Sequence, residues 1–286
     1  MRHVRLGWAI AVLLAVTTTC ISAAFGAPVI LNEYNAVSSD RWLDEDGLTG
    51  STKTDTYFGR IEGNGDDWFE LVVVGDGTAG STVDMRGWEL RIDEDGDLAK
   101  GHLKLSDNAY WSNVPAGTIL TFIETTDAGG AGNTATAINK VDNLATEGWA
   151  WTNIYVEDPT YIDMDDPDHD DGYPISGDDS QFVIFQSDGT TVVFGPAGEG
   201  VSPSGGVGSR EVMKLEADPS PSILEDSEFY TDGTSSSFGH PNAWTSNDVP
   251  VVQDFGAFVV PEPATIALLV SGLISLVLYW RRMRNA

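Results

Sequence analysis

The chain has 286 residues and a formal net charge of −29, with 44 acidic and 15 basic residues. Residues 27–260 hold 43 of the acidic residues but only 10 of the basic ones, so this region repels phosphate backbones and nucleic-acid binding is excluded. Hydrophobic residues make up 41% of the chain, which is enough for a sizeable core and excludes wholesale disorder.

The first 26 residues have the pattern of a secretory signal peptide, which we expect to be helical. Arg2 and Arg5 form a basic start, Leu6–Val16 is apolar but too short to span a bilayer comfortably, and small residues suited to cleavage follow. The alternative is an N-terminal anchor. The single cysteine, Cys20, lies in this segment, so we expect no disulfide framework, cysteine zinc cluster or cysteine nucleophile in the exported part.

The central region has the pattern of an all-β domain. Its apolar segments are short and rich in Val, Ile, Phe and Trp, and they predict strands at Val29–Tyr34, Trp68–Val74, Val83–Ile92, Thr118–Glu124, Gln181–Gln186 and Thr191–Phe194. Trp88, Leu90 and Ile92 alternate with Glu89 and Arg91, the period of a half-buried strand. Many short strands with frequent turns predict a sandwich or a barrel.

Turn residues and composition divide this region further. Asp188-Gly189 lies between two apolar strands and predicts the tip of a hairpin. Residues 44–67 and 127–179 are polar or irregular in pattern, and we interpret both as loop insertions on a compact β domain that covers residues 28–246. We interpret residues 247–260 as a linker to the C-terminal segment.

Several strings in the β region resemble the lamin tail domain family. They are VILNEYNA (29–36), GNGDDWFELVVVGD (63–76), VDMRGWELRID (83–93), VPAGTILTFIE (114–124), SDGTTVVF (187–194) and FGHPN (238–242). They occur in order, although Phe238 stands where proline is common in the family. The resemblance implies an immunoglobulin-like β-sandwich with a binding, tethering or structural role, and it identifies no ligand.

Apolar and charged residues inside the predicted strands have structural interpretations. Trp68 and Trp88 fit core positions. Glu70 lies between Phe69 and Leu71, and a buried carboxylate requires a partner. We expect Glu70 to bond backbone amides of a turn or an arginine, and not to act as a catalytic acid.

The candidate metal site is an acidic segment at the end of the second insertion. Six carboxylates fall within nine residues there and repel one another unless they are hydrated or bridged by a cation. The proposed Ca²⁺ ligands are Asp163, Asp165, Asp166, Asp168 and Asp170; Asp93, Asp95 and Asp97 form a weaker candidate. The spacing is not that of an EF-hand, because glycine stands at the seventh place and no glutamate at the twelfth. The alternative is a solvated acidic loop.

Trp149 and Trp151 support a second hypothesis, in which exposed indoles stack on sugar rings as in a carbohydrate-binding module. The alternative is that they pack the insertion onto the sandwich. Coplanar, exposed indoles would favour sugar binding, whereas buried indoles would not. A hydrolase is a weaker hypothesis, because acids are plentiful but no nucleophile, zinc-protease or phosphate-loop motif is present in the sequence.

The C-terminal segment combines three elements in order. Pro261-Glu262-Pro263 is followed by the uncharged run Ala264–Trp280 and then by Arg281, Arg282 and Arg284. The run is long enough for a transmembrane helix, and the basic end is typical of the cytoplasmic side. The alternative is that the segment is a single transmembrane anchor without a sorting function. The three elements resemble the PEP-CTERM sorting signal over residues 261–284, which implies an exosortase partner, removal of the tail and a mature product at the bacterial surface or in the extracellular matrix.

The sequence therefore predicts an exported, non-enzymatic module that binds, adheres or tethers at the cell surface. Partners expected besides exosortase are the membrane, through the C-terminal segment, and extracellular polysaccharide or other surface proteins. Ca²⁺ is the one cofactor that the residues point to.

Overall fold

The structure is a computed structural model. It describes residues 26–43, 54–94, 97–124, 141–142, 147–168, 175, 180–198, 207–226 and 228–260, together with Ser271, Leu273, Ile274, Leu276, Trp280 and Met283. For residues 93–100 and 141–142 only the backbone is described.

Nearly all regular structure in these residues is β. The strands are β1 (Val29–Asn35), β2 (Trp68–Val73), β3 (Thr82–Val83), β4 (Glu89–Glu94), β5 (Asp97–Lys104), β6 (Val114–Pro115), β7 (Thr118–Ile123), β8 (Val141–Asp142), β9 (Ala150–Tyr155), β10 (Gln181–Phe185), β11 (Val192–Gly198), β12 (Val212–Leu215), β13 (Tyr230–Gly233), β14 (Ala243–Ser246) and β15 (Val249–Val252). Short 3-10 helices lie at Gly63–Gly65, Ala109–Asn113 and Gly256–Phe258. The all-β prediction is confirmed.

The strands form one large and one smaller sheet. The large sheet has the order β13-β12-β1-β2-β7-β9-β8, and the smaller one has the order β11-β10-β4-β5. Pairing is antiparallel except between β7 and β9, which run parallel. Two further ladders join β14 to β15 and β3 to β6.

The two main sheets pack face to face. The ring of Phe182 on β10 lies 5.0 Å from that of Tyr34 on β1 and 5.1 Å from that of Phe69 on β2. One continuous cluster of buried apolar side chains includes residues of both sheets. This arrangement is consistent with the predicted β-sandwich.

The outer face of the large sheet is covered as well. Trp68 packs edge-on against Phe238 with ring centroids 5.0 Å apart, and Phe58 lies 4.6 Å from the same ring. Strands covered on both faces lose the alternation of polar and apolar residues, which explains why every residue of β1, β2 and β7 is buried. Trp68 and Trp88 are core residues, as predicted.

Local turn chemistry confirms one predicted element and corrects another. The hairpin of β10 and β11 turns at Asp188-Gly189, where the Asp188 carboxylate accepts the Thr191 amide at 2.7 Å and Gly189 has φ +65°. The single strand predicted at residues 83–92 is two strands, β3 and β4. Gly87 lies between them with φ +67°, a conformation that a strand interior does not allow.

The predicted insertions belong to the folded body. The second contains β9, whose buried side chains add a strand to the large sheet. In the described part of the first, Asp55 and Phe58 are buried. The stretch interpreted as a linker carries regular structure: residues 249–252 form β15, and Phe255 and Phe258 are buried in the core.

The predicted signal peptide lies outside the described residues. In the predicted transmembrane segment, the few described positions are helical and exposed, and the rest of that segment lies outside the described residues. Within the part of the chain that the structure describes, no helix has both the length and the apolar character needed to cross a bilayer.

Candidate functional site

The acidic loop, which we define as Asp163–Asp168, folds back onto the smaller sheet. The Asp163 amide donates to the Lys104 carbonyl at 2.8 Å, and Leu105 forms a bridge with Ile162. The indole of buried Trp111 donates to the Tyr161 carbonyl at 2.9 Å. These contacts place the loop beside the end of β5.

Inside the acidic loop the carboxylates bond mostly to local backbone. Asp163 accepts the Asp165 amide at 3.3 Å, and Asp166 accepts the Asp168 amide at 3.1 Å. Such side-chain turns hold an aspartate-rich loop without any ion. Asp165 and Asp168 are exposed, and Asp170 and His169 lie outside the described residues, so the calcium prediction for this loop stays a prediction.

The weaker calcium candidate consists of Asp93, Asp95 and Asp97, and the side chains of these residues lie outside the described part of the structure. Asp95 lies outside the described residues, and Asp93 and Asp97 are described as backbone of β4 and β5 only. Their hairpin register pairs Glu94 with Asp97.

Lys104 links the acidic loop to the sheet. Its ammonium nitrogen lies 3.5 Å from Asp166 Oδ2 and 3.9 Å from Asp163 Oδ2. Its side chain is 31% exposed, so each pair stabilises the fold only modestly.

One group of possible metal ligands converges among the described residues: Glu89 on β4, His102 on β5 and Asp166 in the acidic loop. One ligand atom from each lies within 4.8 Å of the others. His102 Nδ1 lies 3.1 Å from the Asp168 carbonyl oxygen, and His102 Nε2 lies 3.3 Å from Glu89 Oε2. Arg91 also binds Glu89 Oε2.

Of these three, sequence reasoning selected only Asp166. The missed signal is the alternation in β4 and β5, because the register pairs Glu89 with Lys104 and Arg91 with His102. These four side chains therefore share one face of the hairpin. The sequence of β5, DLAKGHLK, is polar and contains Gly101, so its pattern does not predict a strand that pairs with β4.

The tryptophans proposed for sugar stacking are buried. Trp149 is 9% exposed and Trp151 is 3% exposed. Trp151 packs edge-on against Phe238 at 5.7 Å and Tyr57 at 5.3 Å, and its indole N–H donates to Thr121 at 2.9 Å. Because both indoles are buried against the large sheet, neither offers a free face on which a sugar ring could stack.

A second polar centre is a row of ionisable residues across three neighbouring strands, which we call the buried row. Register pairs join Glu70 on β2 to Glu33 on β1, and Glu33 to Lys214 on β12. All three are at most 2% exposed. Burial, opposed by Lys214, raises the pKa of Glu33 to about 7. Burial and the neighbouring Glu33 raise the pKa of Glu70 well above its ordinary value.

The segment Ser236–Gly239, which we call the closing segment, covers the buried row and donates hydrogen bonds to it and to neighbouring Asp55. Its hydrogen bonds run from the Ser237 hydroxyl to Glu33 at 3.0 Å, from the Phe238 amide to Asp55 at 3.0 Å, and from the Gly239 amide to Glu70. The predicted hydrogen bond from a turn amide to Glu70 is confirmed. Buried carboxylates need such partners, so the row holds the closing segment on the sheet.

Lys104 also lines a polar groove of about 550 Å³. It is lined by Asp84, Arg86, Gly87, Trp88, Lys104, Asp107 and Ser187. Arg86 and Asp84 are paired within it, with a nitrogen–oxygen distance of 2.6 Å. The groove is open and polar, and the pair on its wall is exposed.

The folded body reaches at least as far as Phe258, whose side chain is 1% exposed in the core. Residues 259–284 match the PEP-CTERM protein-sorting motif. The match includes Pro261-Glu262-Pro263 and the pair Arg281 and Arg282, as predicted. It indicates a protein exported by a bacterium and sorted by an exosortase.

The comparisons support nothing narrower than this motif. No lamin tail family match accompanies it. Comparison with curated proteins and with solved structures found no match.

Proposed function

We propose that the chain is a non-enzymatic surface or extracellular-matrix protein whose β-rich body serves binding, adhesion or structural tethering. We further propose that this body is an immunoglobulin-like, lamin-tail-like module, that residues 1–26 are a signal peptide, and that the C-terminal segment anchors the chain in the membrane until an exosortase removes it.

The observation that carries the proposal is the direct junction between body and sorting motif. Phe255 and Phe258 are buried, and the motif begins at residue 259. The body therefore has no free spacer of its own before the motif. A module joined in this way is held close to the membrane before processing, which suits delivery of a preformed folded unit to the surface.

The burial of three carboxylates supports the proposal that the protein is not a hydrolase. Glu33, Glu70 and Asp55 accept hydrogen bonds from the closing segment and are at most 2% exposed, so no substrate reaches them in this conformation. The high negative charge favours basic surface proteins, or polysaccharides bridged by divalent cations, as partners.

The test combines processing and binding in the native host. We expect mass spectrometry of the wild-type protein to show loss of residues at both ends. We expect Glu262→Ala, or deletion of the exosortase, to leave the C-terminal segment attached and the protein in the membrane fraction. Glu228→Ala, which changes an exposed glutamate of the body, is the matched control and should be processed normally.

The binding arm uses the mature protein released by the host, incubated with the host's extracellular polysaccharide and with its outer-surface proteins. Retention on either supports the tethering role. Unaltered processing of Glu262→Ala would contradict the sorting assignment, and hydrolysis of the polysaccharide would contradict the non-enzymatic one.

A further inference from the structure

The convergence of Glu89, His102 and Asp166 is unusual because two of their polar atoms are buried without a hydrogen bond. These atoms are His102 Nε2 and Asp166 Oδ2. The side chains are 8% and 5% exposed, respectively. A buried polar atom without a hydrogen bond is costly. Each of these atoms lies beside a charged group, since His102 Nε2 is 3.3 Å from Glu89 Oε2 and Asp166 Oδ2 is 3.5 Å from Lys104 Nζ, but neither has the hydrogen bond that a bound ligand would replace.

The imidazole of His102 is oriented from its other side. Its Nδ1 lies 3.1 Å from the Asp168 carbonyl oxygen, which can only accept, so Nδ1 carries the proton. In the neutral imidazole Nε2 then has a lone pair. Nε2 lies 3.3 Å from Glu89 Oε2, and one ligand atom of Asp166 lies within 4.8 Å of ligand atoms of both residues. A neutral imidazole nitrogen and two carboxylate oxygens this close repel one another unless a positive charge lies beside them.

The nearby cations do not fill this position. Arg91 binds Glu89 Oε2, and Lys104 Nζ lies 3.5 Å from Asp166 Oδ2. Neither donates a hydrogen bond to His102 Nε2, which has none. The two cations neutralise part of the carboxylate charge and leave His102 Nε2 without a hydrogen bond.

We propose that Glu89, His102 and Asp166 bind one divalent transition-metal ion of the zinc class. A nitrogen and two carboxylate oxygens are a donor set that Zn²⁺ accepts, with imidazole selecting against Ca²⁺ and Mg²⁺. A ligating histidine ordinarily donates its second N–H to a carbonyl or carboxylate, and the Asp168 carbonyl is placed for this bond. The strongly negative chain concentrates divalent cations at its surface.

The position of the ligands gives the ion a structural consequence. Glu89 and His102 belong to the paired strands β4 and β5, whereas Asp166 belongs to the acidic loop. The ion therefore fastens the acidic loop to the smaller sheet. This site differs from the calcium prediction, because it uses one aspartate of the loop and two side chains of the sheet.

The experiment uses the full chain in detergent, without a histidine tag and stripped of metal with a chelator. Zn²⁺ alone is titrated by calorimetry, and Co²⁺ alone is titrated with visible absorption as a coordination readout. The test variants are His102→Gln and Asp166→Asn. The matched controls are His240→Gln, and Asp165→Asn, which changes an exposed aspartate of the same loop. Circular dichroism checks that each variant folds.

We expect the wild type to bind one equivalent of Zn²⁺, to show the cobalt absorption band, and to melt at a higher temperature with Zn²⁺. Each test variant should lose at least about tenfold in affinity, and the controls should retain it. Asp166→Asn alone decides the matter if His102→Gln does not fold. Absence of zinc binding, equal zinc binding by test and control variants, or stabilisation by Ca²⁺ but not Zn²⁺ would overturn the proposal.

Discussion

Glu33 and Glu70 stand directly opposite each other on adjacent antiparallel strands, and both side chains are fully buried. Each accepts hydrogen bonds from the closing segment, and each has a raised pKa, with burial as the largest cause. Two neighbouring buried carboxyl groups do not both ionise readily. Near pH 6 the pair therefore retains a proton in the folded state that the unfolded chain has already released, since the ordinary pKa is 4.5.

This proton predicts how stability depends on pH. The pKa of Glu33 is raised from 4.5 to about 7, so the folded state binds more protons than the unfolded state between these values. The free energy of unfolding should therefore fall as pH rises through this window, by about 3 kcal/mol from Glu33. Urea unfolding at pH 4.5, 6 and 7.5 measures the change.

Glu33→Gln should flatten this pH dependence, because the amide does not titrate. Glu70, whose pKa burial raises, and Asp67, whose pKa burial and Glu124 raise to about 8, have the same sign and leave a residual slope. Glu62→Gln alters an exposed glutamate and should leave the slope unchanged. Stability that rises from pH 4.5 to 7 in the wild type would contradict the prediction.

Asn242→Ala should destabilise the protein by about 2 kcal/mol or more, because it leaves buried acceptors unsatisfied. The Asn242 side-chain amide donates to the carbonyls of Asn32 at 3.0 Å and Leu215 at 3.1 Å, and its oxygen accepts from the Asn32 side-chain amide at 3.4 Å. Denaturant unfolding of the variant measures the loss. Asn113→Ala, at an exposed position, is the control, and an equal effect of both changes would show that burial does not matter here.

Trp88→Ala should destabilise the protein by about 3–5 kcal/mol, the usual result of emptying a buried aromatic position. Trp88 is 8% exposed and belongs to the main core cluster. Trp244→Ala removes a half-buried indole and should destabilise less. Equilibrium unfolding monitored by circular dichroism compares the two, and a loss below about 1 kcal/mol for Trp88→Ala would show that the site is not a packed core position.

Replacing both Arg281 and Arg282 by alanine should impair sorting, because the basic cluster helps to hold the end of the tail on the cytoplasmic side. We expect most of the variant to keep its C-terminal segment, as judged by intact mass from the native host. Arg210→Ala, in the body, should be processed like the wild type. Normal release of the double variant would show that the arginines within the matched motif are dispensable.

Local patterns in the sequence were sufficient where structure depends on near neighbours. Asp188-Gly189 forms its hairpin because the turn conformation and the carboxylate–amide bonds lie within four residues. The apolar strings at β1, β2 and β7 mark strands because β-branched and aromatic residues suit a pleated surface. The sorting signal is likewise readable, because its three elements are contiguous.

The sequence alone determined the all-β class and the sorting signal at the C-terminus. Only the tertiary structure decided that residues 150–155 run parallel to β7, that Phe255 and Phe258 close the core, and that Asp166 meets Glu89 and His102. Periodicity along the chain reports which face of a segment is apolar. It does not report which distant strand pairs with it, because partner and register follow from packing across the whole body.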